Sequence, residues 1–291
     1  MIEVLNTGPG TTVQDLGRSG HAAWGISAGG AADRASLRLA NRLVGNREDA
    51  AAFEVLLGGL ALSFTAAATV AVTGAPVPVL LAGRPLGRID GPQWVPAGST
   101  LALAAPAEQV RSYVAVRGGL DTPLVLGSRS VDESSGVGHA VRAGDTIAVG
   151  TQTLGPPFVD QAPRRSWPTG PLTLNATAGP RDDWFTVDAL RRFSTESYAV
   201  TTASDRVGVR LSGPPLERAA DGELLSEPTL RGAVEVPADG LPIVFGPDHP
   251  TTCGYPVIAV LDPSSADLVS QCRPGQQITF RVRRPTVRLT L

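Results

Sequence analysis

Glycine and proline interrupt this chain so often that most of it cannot form long helices. The 291 residues include 33 Gly and 25 Pro, and the segments between them are short runs rich in Val, Leu, Ile and Thr, as at 69–73, 112–116, 172–176 and 278–282. Such runs are typical of β-strands joined by turns. Because 42% of the residues are hydrophobic, the chain can still bury a core. The sequence therefore predicts a mainly β fold with a few helices.

Three segments have the pattern of a helix. The first follows Asp33, a good N-cap, and carries apolar residues at three-and-four spacing up to Gly45. The second is predicted to start at Asp182 or Asp183, either of which can cap it, and the third spans 264–271.

A turn followed by a strand recurs at 96–101, 142–147 and 273–278, with Gly at the same place each time. Glycine at a fixed turn position indicates a backbone with positive φ. The length of 291 residues suggests about two domains. The proline-rich segment 154–171, with Arg164 and Arg165 predicted to be exposed, indicates a linker between an N-terminal β unit, 1–153, and a C-terminal β unit, 172–291.

The chain contains no lysine, since all 25 basic residues are Arg. This excludes a Schiff base, a phosphate-loop lysine and a covalent biotin on this chain. A nucleotide must then be held in another way or by another chain. The net charge of -2 gives no overall attraction to nucleic acid or to an anionic membrane.

Cellular location is indicated by the cysteines and by the start of the sequence. Cys253 and Cys272 do not form a C-x-x-C motif, and free thiols are typical of cytoplasmic proteins. The first residues lack a signal-peptide pattern, so we expect a cytoplasmic protein. The uncharged segment 55–83 is long enough to cross a bilayer, but its Gly and Pro residues and its valines favour strands instead.

Two glycine-rich motifs resemble catalytic signatures. Residues 25–29 match G-x-S-x-G, yet 21–24 make a poor strand and the next helix starts only after Asp33, so a loop is favoured over a hydrolase elbow. Residues 8–12 resemble a phosphate loop without its lysine and are interpreted as a turn.

The histidines show no metal-binding spacing, so we expect no metal site from His21, His139 and His249. The turn at 248–256 combines a carboxylate, an imidazole, hydroxyls, a thiol and a phenol, and it is either functional or a simple polar turn.

Arginine stands beside small residues in the segments 14–18, 117–119 and 127–130. Such arginines often bind carboxylates or phosphates, because the backbone allows close approach. The alternative for each is an ion pair that ties a loop to the sheet.

These segments resemble the biotin-dependent carboxyltransferase-like family called allophanate hydrolase subunit 2. The resemblance starts in 10–18, 27–33, 39–46 and Glu54. It continues almost to the end of the chain, through 116–119, 126–130, 206–213, 254–256 and 274–275. The family includes the C subunit of 5-oxoprolinase, the carboxyltransferase domain of urea carboxylase, and the antagonist of a sporulation-kinase inhibitor.

The resemblance implies two tandem cyclophilin-like β-barrel units and a partner, the B subunit of the same family system. In the 5-oxoprolinase type, the A subunit also takes part, and the complex uses ATP to open 5-oxoproline to glutamate. We expect this chain to be one subunit of such an ATP-dependent amide hydrolase. The alternatives are a component of a biotin-dependent carboxyltransferase and a non-catalytic protein that binds and antagonises a kinase inhibitor.

The candidate site residues fall into three groups. Carboxylates that could accept a proton are Asp15, Glu54 and Asp248. Arginines that could clamp an anion are Arg18, Arg117 and Arg129. Residues that could orient the substrate are Gln14, Asn41, Ser128, Thr251 and Tyr255.

The sequence departs from the family pattern at four positions. It has Val131 in place of Thr, Glu235 in place of Gln, Pro250 in place of Gln, and Cys253 in place of Gly. A carboxylate in place of an amide changes the hydrogen-bond polarity at 235. These departures bear on the substrate rather than on the fold.

Overall fold

The computed structural model describes most of the chain, namely residues 1–86, 90–163, 166–168, 170–219, 222 and 224–284. The chain divides into two compact units. Unit 1 consists of Met1–Ser19 and Gly29–Trp167, and unit 2 consists of Gly20–Ala28 and Pro168–Leu291. The short segment Gly20–Ala28 thus groups with a unit that lies far from it in sequence.

Unit 1 contains two antiparallel sheets and one α-helix. In chain order its elements are β1 (Ile2–Thr7), β2 (Gly10–Gln14), α1 (Arg34–Leu43), β3 (Ala52–Leu56), β4 (Leu60–Phe64), β5 (Ala68–Gly74), β6 (Val79–Leu81), β7 (Arg84–Leu86), β8 (Pro92–Val95), β9 (Thr100–Leu103), β10 (Arg111–Val116), β11 (Leu120–Asp121) and β12 (Thr146–Val149). The seven-stranded sheet has the order β11-β12-β1-β4-β9-β6-β7, and the five-stranded sheet has the order β2-β3-β10-β5-β8.

The main core of unit 1 lies between these two sheets. Ile2 and Leu62 from the larger sheet pack in one buried cluster with Phe53, Val72 and Val114 from the smaller one. The alternation of buried and half-buried residues along β4 is what a strand with one face in the core requires.

Helix α1 covers the other face of the five-stranded sheet. Leu37 and Ala40 of the helix pack in a second buried cluster with Tyr113 and Ala115 of β10. The side chain of Asp33 accepts a hydrogen bond from Ser36 N at 3.0 Å, which confirms the predicted N-cap.

Unit 2 is built around a closed barrel. In chain order its elements are β13 (Leu172–Ala178), α2 (Val187–Thr195), β14 (Tyr198–Val200), β15 (Gly208–Ser212), β16 (Glu227–Pro228), β17 (Ala233–Glu235), β18 (Ile243–Phe245), β19 (Thr252–Cys253), β20 (Val257–Leu261), α3 (Pro263–Val269) and β21 (Gln277–Arg283). The barrel order is β13-β20-β17-β18-β15-β14-β21, and parallel pairing of β13 with β21 closes it. The mainly β prediction with a few helices is confirmed.

Helix α2 starts later than predicted. Asp182 and Asp183 lie in a short 3-10 helix, Asp182–Trp184, and the cap of α2 is Thr186, whose side chain accepts a hydrogen bond from Ala189 N at 3.1 Å. The prediction that Asp182 or Asp183 caps this helix is therefore wrong. The chain becomes extended after the 3-10 turn and begins a new helix at the next hydroxyl residue.

The segment predicted as a linker is tied to unit 1 over its first part. Leu154 N donates to Gly45 O at 2.8 Å, and Ala162 N donates to Asp90 O at 2.7 Å. Arg164 and Arg165 lie outside the described residues, and the unit boundaries at 153 and 172 stay a prediction.

The three repeated turns have the predicted conformation. Gly98, Gly144 and Gly275 have φ of 75°, 92° and 87°, which confirms the need for positive φ. Their N–H groups donate at 2.7, 2.7 and 2.8 Å to the carbonyls of Phe64, Val4 and Val200. The turns therefore anchor each following strand to its neighbour.

None of the helices within the described ranges is long and apolar enough to cross a membrane.

We expect Gly144→Ala to lower the free energy of unfolding by about 1–2 kcal/mol, because an L side chain disfavours positive φ. A Cβ at Gly144 would meet no atom within 4 Å, so the cost comes from the backbone alone. Gly170→Ala is the matched control, since that site is equally open and lacks positive φ. Urea denaturation of both variants checks this; equal losses would contradict it.

Candidate functional site

Asp15, directly after β2, is a buried carboxylate that accepts four hydrogen bonds. Oδ1 accepts from Gly17 N at 2.7 Å and from the hydroxyls of Ser128 and Ser130, each at 2.6 Å. Oδ2 accepts from Arg129 N at 2.7 Å. Asp15 thus joins the end of β2 to a segment more than 100 residues away. This number of donors indicates that Asp15 positions its neighbours.

Arg18 is buried and contacts backbone carbonyls. It is 3% exposed, Nη2 donates to Ser130 O, and Nε donates to Val125 O at 3.3 Å. Nη1 is buried and has no hydrogen-bond partner in the part of the chain that the structure describes. A guanidinium is always charged, so the site holds a positive charge whose contacts among the described residues are neutral carbonyls.

Gln14 lies next to the same segment. It is 0% exposed, and its Nε2 donates to Val131 O at 2.8 Å and to Thr12 Oγ1 at 3.0 Å. Oε1 is buried and lacks a hydrogen-bond partner among the described residues. Because a backbone carbonyl can only accept, the Gln14 side-chain atom that faces Val131 O must be the nitrogen Nε2, and the other must be the oxygen Oε1.

The carboxylate of Glu54 is engaged by groups just before α1 and on β10. Its Oε2 accepts from Ala32 N and from the hydroxyl of Tyr113, each at 2.8 Å, and Oε1 lies 3.3 Å from Arg111 Nε. The Tyr113 hydroxyl in turn accepts from Asp33 N at 2.7 Å. Burial, and then the charge of Glu54, raises the pKa of Tyr113 well above its ordinary value. These contacts make Glu54 a structural carboxylate rather than an accessible base.

The side chains of Asn41 and Arg117 both donate to backbone carbonyls. Asn41 Nδ2 donates to Ala50 O at 2.7 Å. Arg117 Nη1 donates to Val44 O at 2.7 Å and to Gly155 O at 2.6 Å. A cation at a carbonyl that ends a helix is favourable, which accounts structurally for the contact of Arg117 with Val44 O. Asn41 instead ties the helix to the segment just before β3.

Two of the predicted residues are held in ion pairs. Arg129 Nη2 lies 2.7 Å from Asp121 Oδ1, so its guanidinium ties the turn to β11. Asp248, in unit 2, receives Nε and Nη2 of Arg206 at 2.7 and 3.0 Å. The Asp248 side chain of this bidentate pair is buried, and the Arg206 guanidinium neutralises its carboxylate.

Thr251 and Tyr255 lie on the polar turn of unit 2. The backbone carbonyl of Thr251 accepts from Thr229 N at 3.0 Å. Tyr255 is 44% exposed, and the guanidinium of Arg218 lies 6.0 Å from the centre of its ring. The ring of His249 stacks on Phe245 with centres 5.9 Å apart. The turn is packed against the barrel around these contacts.

Unit 2 also brings together two of the departures from the family pattern. Cys253 Sγ donates to Glu235 Oε2 at 2.7 Å. Burial raises the pKa of Glu235, while burial and the bond to Glu235 raise the pKa of Cys253 to about 11. The thiol therefore stays protonated near neutral pH and bonds to the carboxyl group.

The structure thus gathers five of the predicted site residues in one place and disperses the others. The gathered residues are Gln14, Asp15, Arg18, Ser128 and Arg129. We call these residues, with Ser130, the Asp15 cluster.

Sequence reasoning missed Ser130 and Tyr113. Ser130 stands two residues after Ser128, and that spacing could have indicated that both hydroxyls face one partner. The sequence around Tyr113 gives no such signal. Ser27 of the G-x-S-x-G motif lies outside any helix or strand, and no three His, Cys, Asp or Glu side chains of the described residues form a metal site.

Comparison with known proteins covers both units of the chain. The model of the carboxyltransferase domain, subdomain A and B, matches residues 24–282. The chain is 36% identical to the C subunit of 5-oxoprolinase from Escherichia coli (strain K12), over 96% of this chain and 90% of that protein. It is 31% identical to urea amidolyase of Lachancea kluyveri, over 96% of this chain and 17% of that much longer protein.

A solved structure has the same fold. The urea carboxylase of Kluyveromyces lactis is 30% identical with a TM-score of 0.89, and the match covers 96% of this chain and 27% of that chain. This chain therefore spans about a quarter of the urea carboxylase it matches.

We expect Glu54→Gln to lower the free energy of unfolding by about 3 kcal/mol, because it removes the buried carboxylate that pairs with the Arg111 guanidinium. Glu48→Gln is the control, since the Glu48 ion pair with Arg42 is exposed, and its loss should cost less than about 1 kcal/mol. Chemical denaturation measures both. Similar small losses would show that the Glu54 contacts do not stabilise the fold.

The raised pKa of Glu235 predicts a pH dependence of stability. A carboxyl whose folded pKa exceeds the ordinary value of 4.5 stabilises the fold below that value and loses this contribution as pH rises through the folded pKa. Wild type should therefore lose stability relative to Glu235→Gln as pH rises above 4.5 and through the raised pKa of Glu235. Denaturation at several pH values measures this difference. Glu108→Gln, at an exposed position, serves as the control. Parallel curves of unfolding free energy against pH for Glu235→Gln and wild type would contradict the expectation.

Proposed function

We propose that this chain, which belongs to the family of carboxyltransferase domains with subdomains A and B, is one subunit of an enzyme that opens a small cyclic amide. The observation that carries the proposal is its similarity, over nearly the whole chain, to the C subunit of 5-oxoprolinase. The substrate is then 5-oxoproline or a close relative, and the product is the ring-opened amino acid.

The chemistry explains why ATP is needed. An unactivated lactam reacts slowly with water, and phosphorylation of its oxygen by ATP turns that oxygen into part of a leaving group. Water then adds to the carbon, the C–N bond breaks as nitrogen takes a proton, and a second water releases phosphate from the acyl phosphate. The charge that develops on oxygen during these steps requires a fixed donor.

Arg18 supplies such a donor in the proposed site. Its Nη1 has no partner among the described residues, and the groups there that accept from its other nitrogens are uncharged carbonyls. Asp15 holds Ser130, whose carbonyl accepts from Arg18 Nη2. We assign amide binding to this chain through Arg18 and Gln14, with Asp15, Ser128 and Arg129 as positioning residues.

ATP binding is assigned to partner subunits. The chain lacks lysine and therefore lacks a phosphate-loop lysine. Relatives from Escherichia coli and Haemophilus influenzae are each named as one subunit of 5-oxoprolinase, which implies companions. We propose that this chain acts with the B subunit and the A subunit of such an enzyme. Its two free thiols fit a reducing compartment, and we propose the cytoplasm.

A second candidate function is carboxyl transfer. The family description and the likeness to urea carboxylase favour it. In that case the Asp15 cluster would bind urea or a similar group, and biotin would be attached to another chain or domain, because this chain has no lysine.

We expect ATP hydrolysis that depends on 5-oxoproline only when this chain is combined with its partner subunits. Arg18→Met should lower kcat/KM at least about 100-fold, because a donor to the reacting oxygen is lost. The variant should still fold, since it leaves no carboxylate unpaired among the described residues.

Arg47→Met is the matched control, since that guanidinium is exposed and pairs with Asp49. It should keep kcat/KM within about 3-fold of wild type. A verified complex that hydrolyses no ATP with 5-oxoproline would contradict the lactam assignment and favour carboxyl transfer.

A further inference from the structure

We propose that Gln14 Oε1 and Arg18 Nη1 together bind the cis edge of an amide, on which N–H and C=O point to the same side. The inference rests on the proposed function and deepens it, because it names the chemical feature that the substrate must present. Arg18 would donate to the amide oxygen, and Gln14 would accept from the amide N–H.

The first argument is that both atoms are buried and unsatisfied. Gln14 is 0% and Arg18 is 3% exposed, and neither Oε1 nor Nη1 has a hydrogen-bond partner in the described chain. Buried polar atoms are almost always paired in folded proteins. A donor and an acceptor left open in neighbouring side chains point to a ligand that satisfies both.

The second argument is that consecutive residues anchor the two side chains. Arg18 Nη2 donates to Ser130 O, and Gln14 Nε2 donates to Val131 O at 2.8 Å. Arg18 Nη1 is bonded to the same carbon as the anchored Nη2, and Gln14 Oε1 is bonded to the same carbon as the anchored Nε2. The two side chains are therefore anchored to one short stretch of backbone.

The third argument is that the polarity of both atoms is fixed. Val131 O cannot donate, so the Gln14 nitrogen faces it and the oxygen remains the free acceptor. A guanidinium carries only N–H donors and no acceptor, so Arg18 Nη1 can only donate. The pair matches one acceptor and one donor on the ligand.

The cluster around Asp15 keeps this pair in place. Ser130 Oγ donates to Asp15 Oδ1 at 2.6 Å and accepts from Asp15 N at 2.9 Å. The carbonyl that anchors Arg18 belongs to this doubly held serine. Such fixed geometry is what selective recognition of a small group needs.

A cis amide edge distinguishes lactams and ureas from ordinary amides. A small ring forces the amide bond to be cis, whereas an open-chain secondary amide is trans and its N–H and C=O point to opposite sides. Urea carries an N–H on the same side as its oxygen. The site is therefore expected to accept lactams and ureas and to discriminate against open-chain secondary amides.

The test compares ligands that differ in one group, using the full chain. Binding of 2-pyrrolidinone, N-methyl-2-pyrrolidinone and N-methylacetamide is measured by NMR titration. Wild type should bind 2-pyrrolidinone at least about 10-fold more tightly than either of the others, because the N-methyl lactam leaves Gln14 Oε1 unpaired and the open-chain amide is trans.

Protein variants then assign the effect. Gln14→Leu should reduce the preference over the N-methyl lactam to within about 2-fold, and Arg18→Met should weaken both lactams. Gln152→Leu, at an exposed glutamine of unit 1, should keep the wild-type preference. Melting curves establish that the variants are folded; if Gln14→Leu does not fold, the three ligands on wild type still decide.

Equal binding of the two lactams by wild type would overturn the inference, as would a preference that survives in folded Gln14→Leu. Failure of the chain to bind any of the three probes would overturn it as well. ATP hydrolysis by the whole complex is a separate readout, so the proposed function stands or falls independently of these results.

Discussion

The Asp15 carboxylate is the constraint on which the candidate site depends. It is buried and accepts hydrogen bonds from two hydroxyls and two backbone N–H groups, so its charge is compensated by neutral donors. Those donors come from the end of β2 and from the segment of Ser128 and Ser130. Holding these two segments together sets the carbonyls that orient Arg18 and Gln14. Asp15 is engaged by these donors, and the groups that accept from Arg18 among the described residues are backbone carbonyls.

Local patterns in the sequence were sufficient for several elements of the fold. Asp33 caps α1, and Gly98, Gly144 and Gly275 adopt the positive φ that their repeated turn requires. These predictions are confirmed because each depends on a few adjacent residues. The predicted start of α2 was wrong because Thr186, like Asp182 and Asp183, can cap a helix, and only the surrounding packing decides between such residues.

The roles of the candidate site residues depend on partners that are distant in sequence. Residue type marked Glu54 as a possible base, but Tyr113 and Arg111 of β10 engage it in the folded chain. The predicted anion clamp Arg117 instead directs its guanidinium at a carbonyl that ends α1. The adjacent residues in the sequence cannot reveal such pairings, because the pairings arise from strand register and helix packing. The sequence motif indicated Gln14 and Arg18 as site residues. Only the folded structure shows that Gln14 Oε1 and Arg18 Nη1 lack hydrogen-bond partners among the described residues.

A shared amide edge connects the two activities suggested by the relatives. 5-Oxoproline and urea both carry an N–H beside a carbonyl oxygen, and one donor with one acceptor can bind either. The most direct test is a crystal structure of the chain grown with 5-oxoproline. The account predicts the lactam oxygen within hydrogen-bond distance of Arg18 Nη1 and the ring N–H at Gln14 Oε1. A lactam bound elsewhere, with only water at these two atoms, would contradict it.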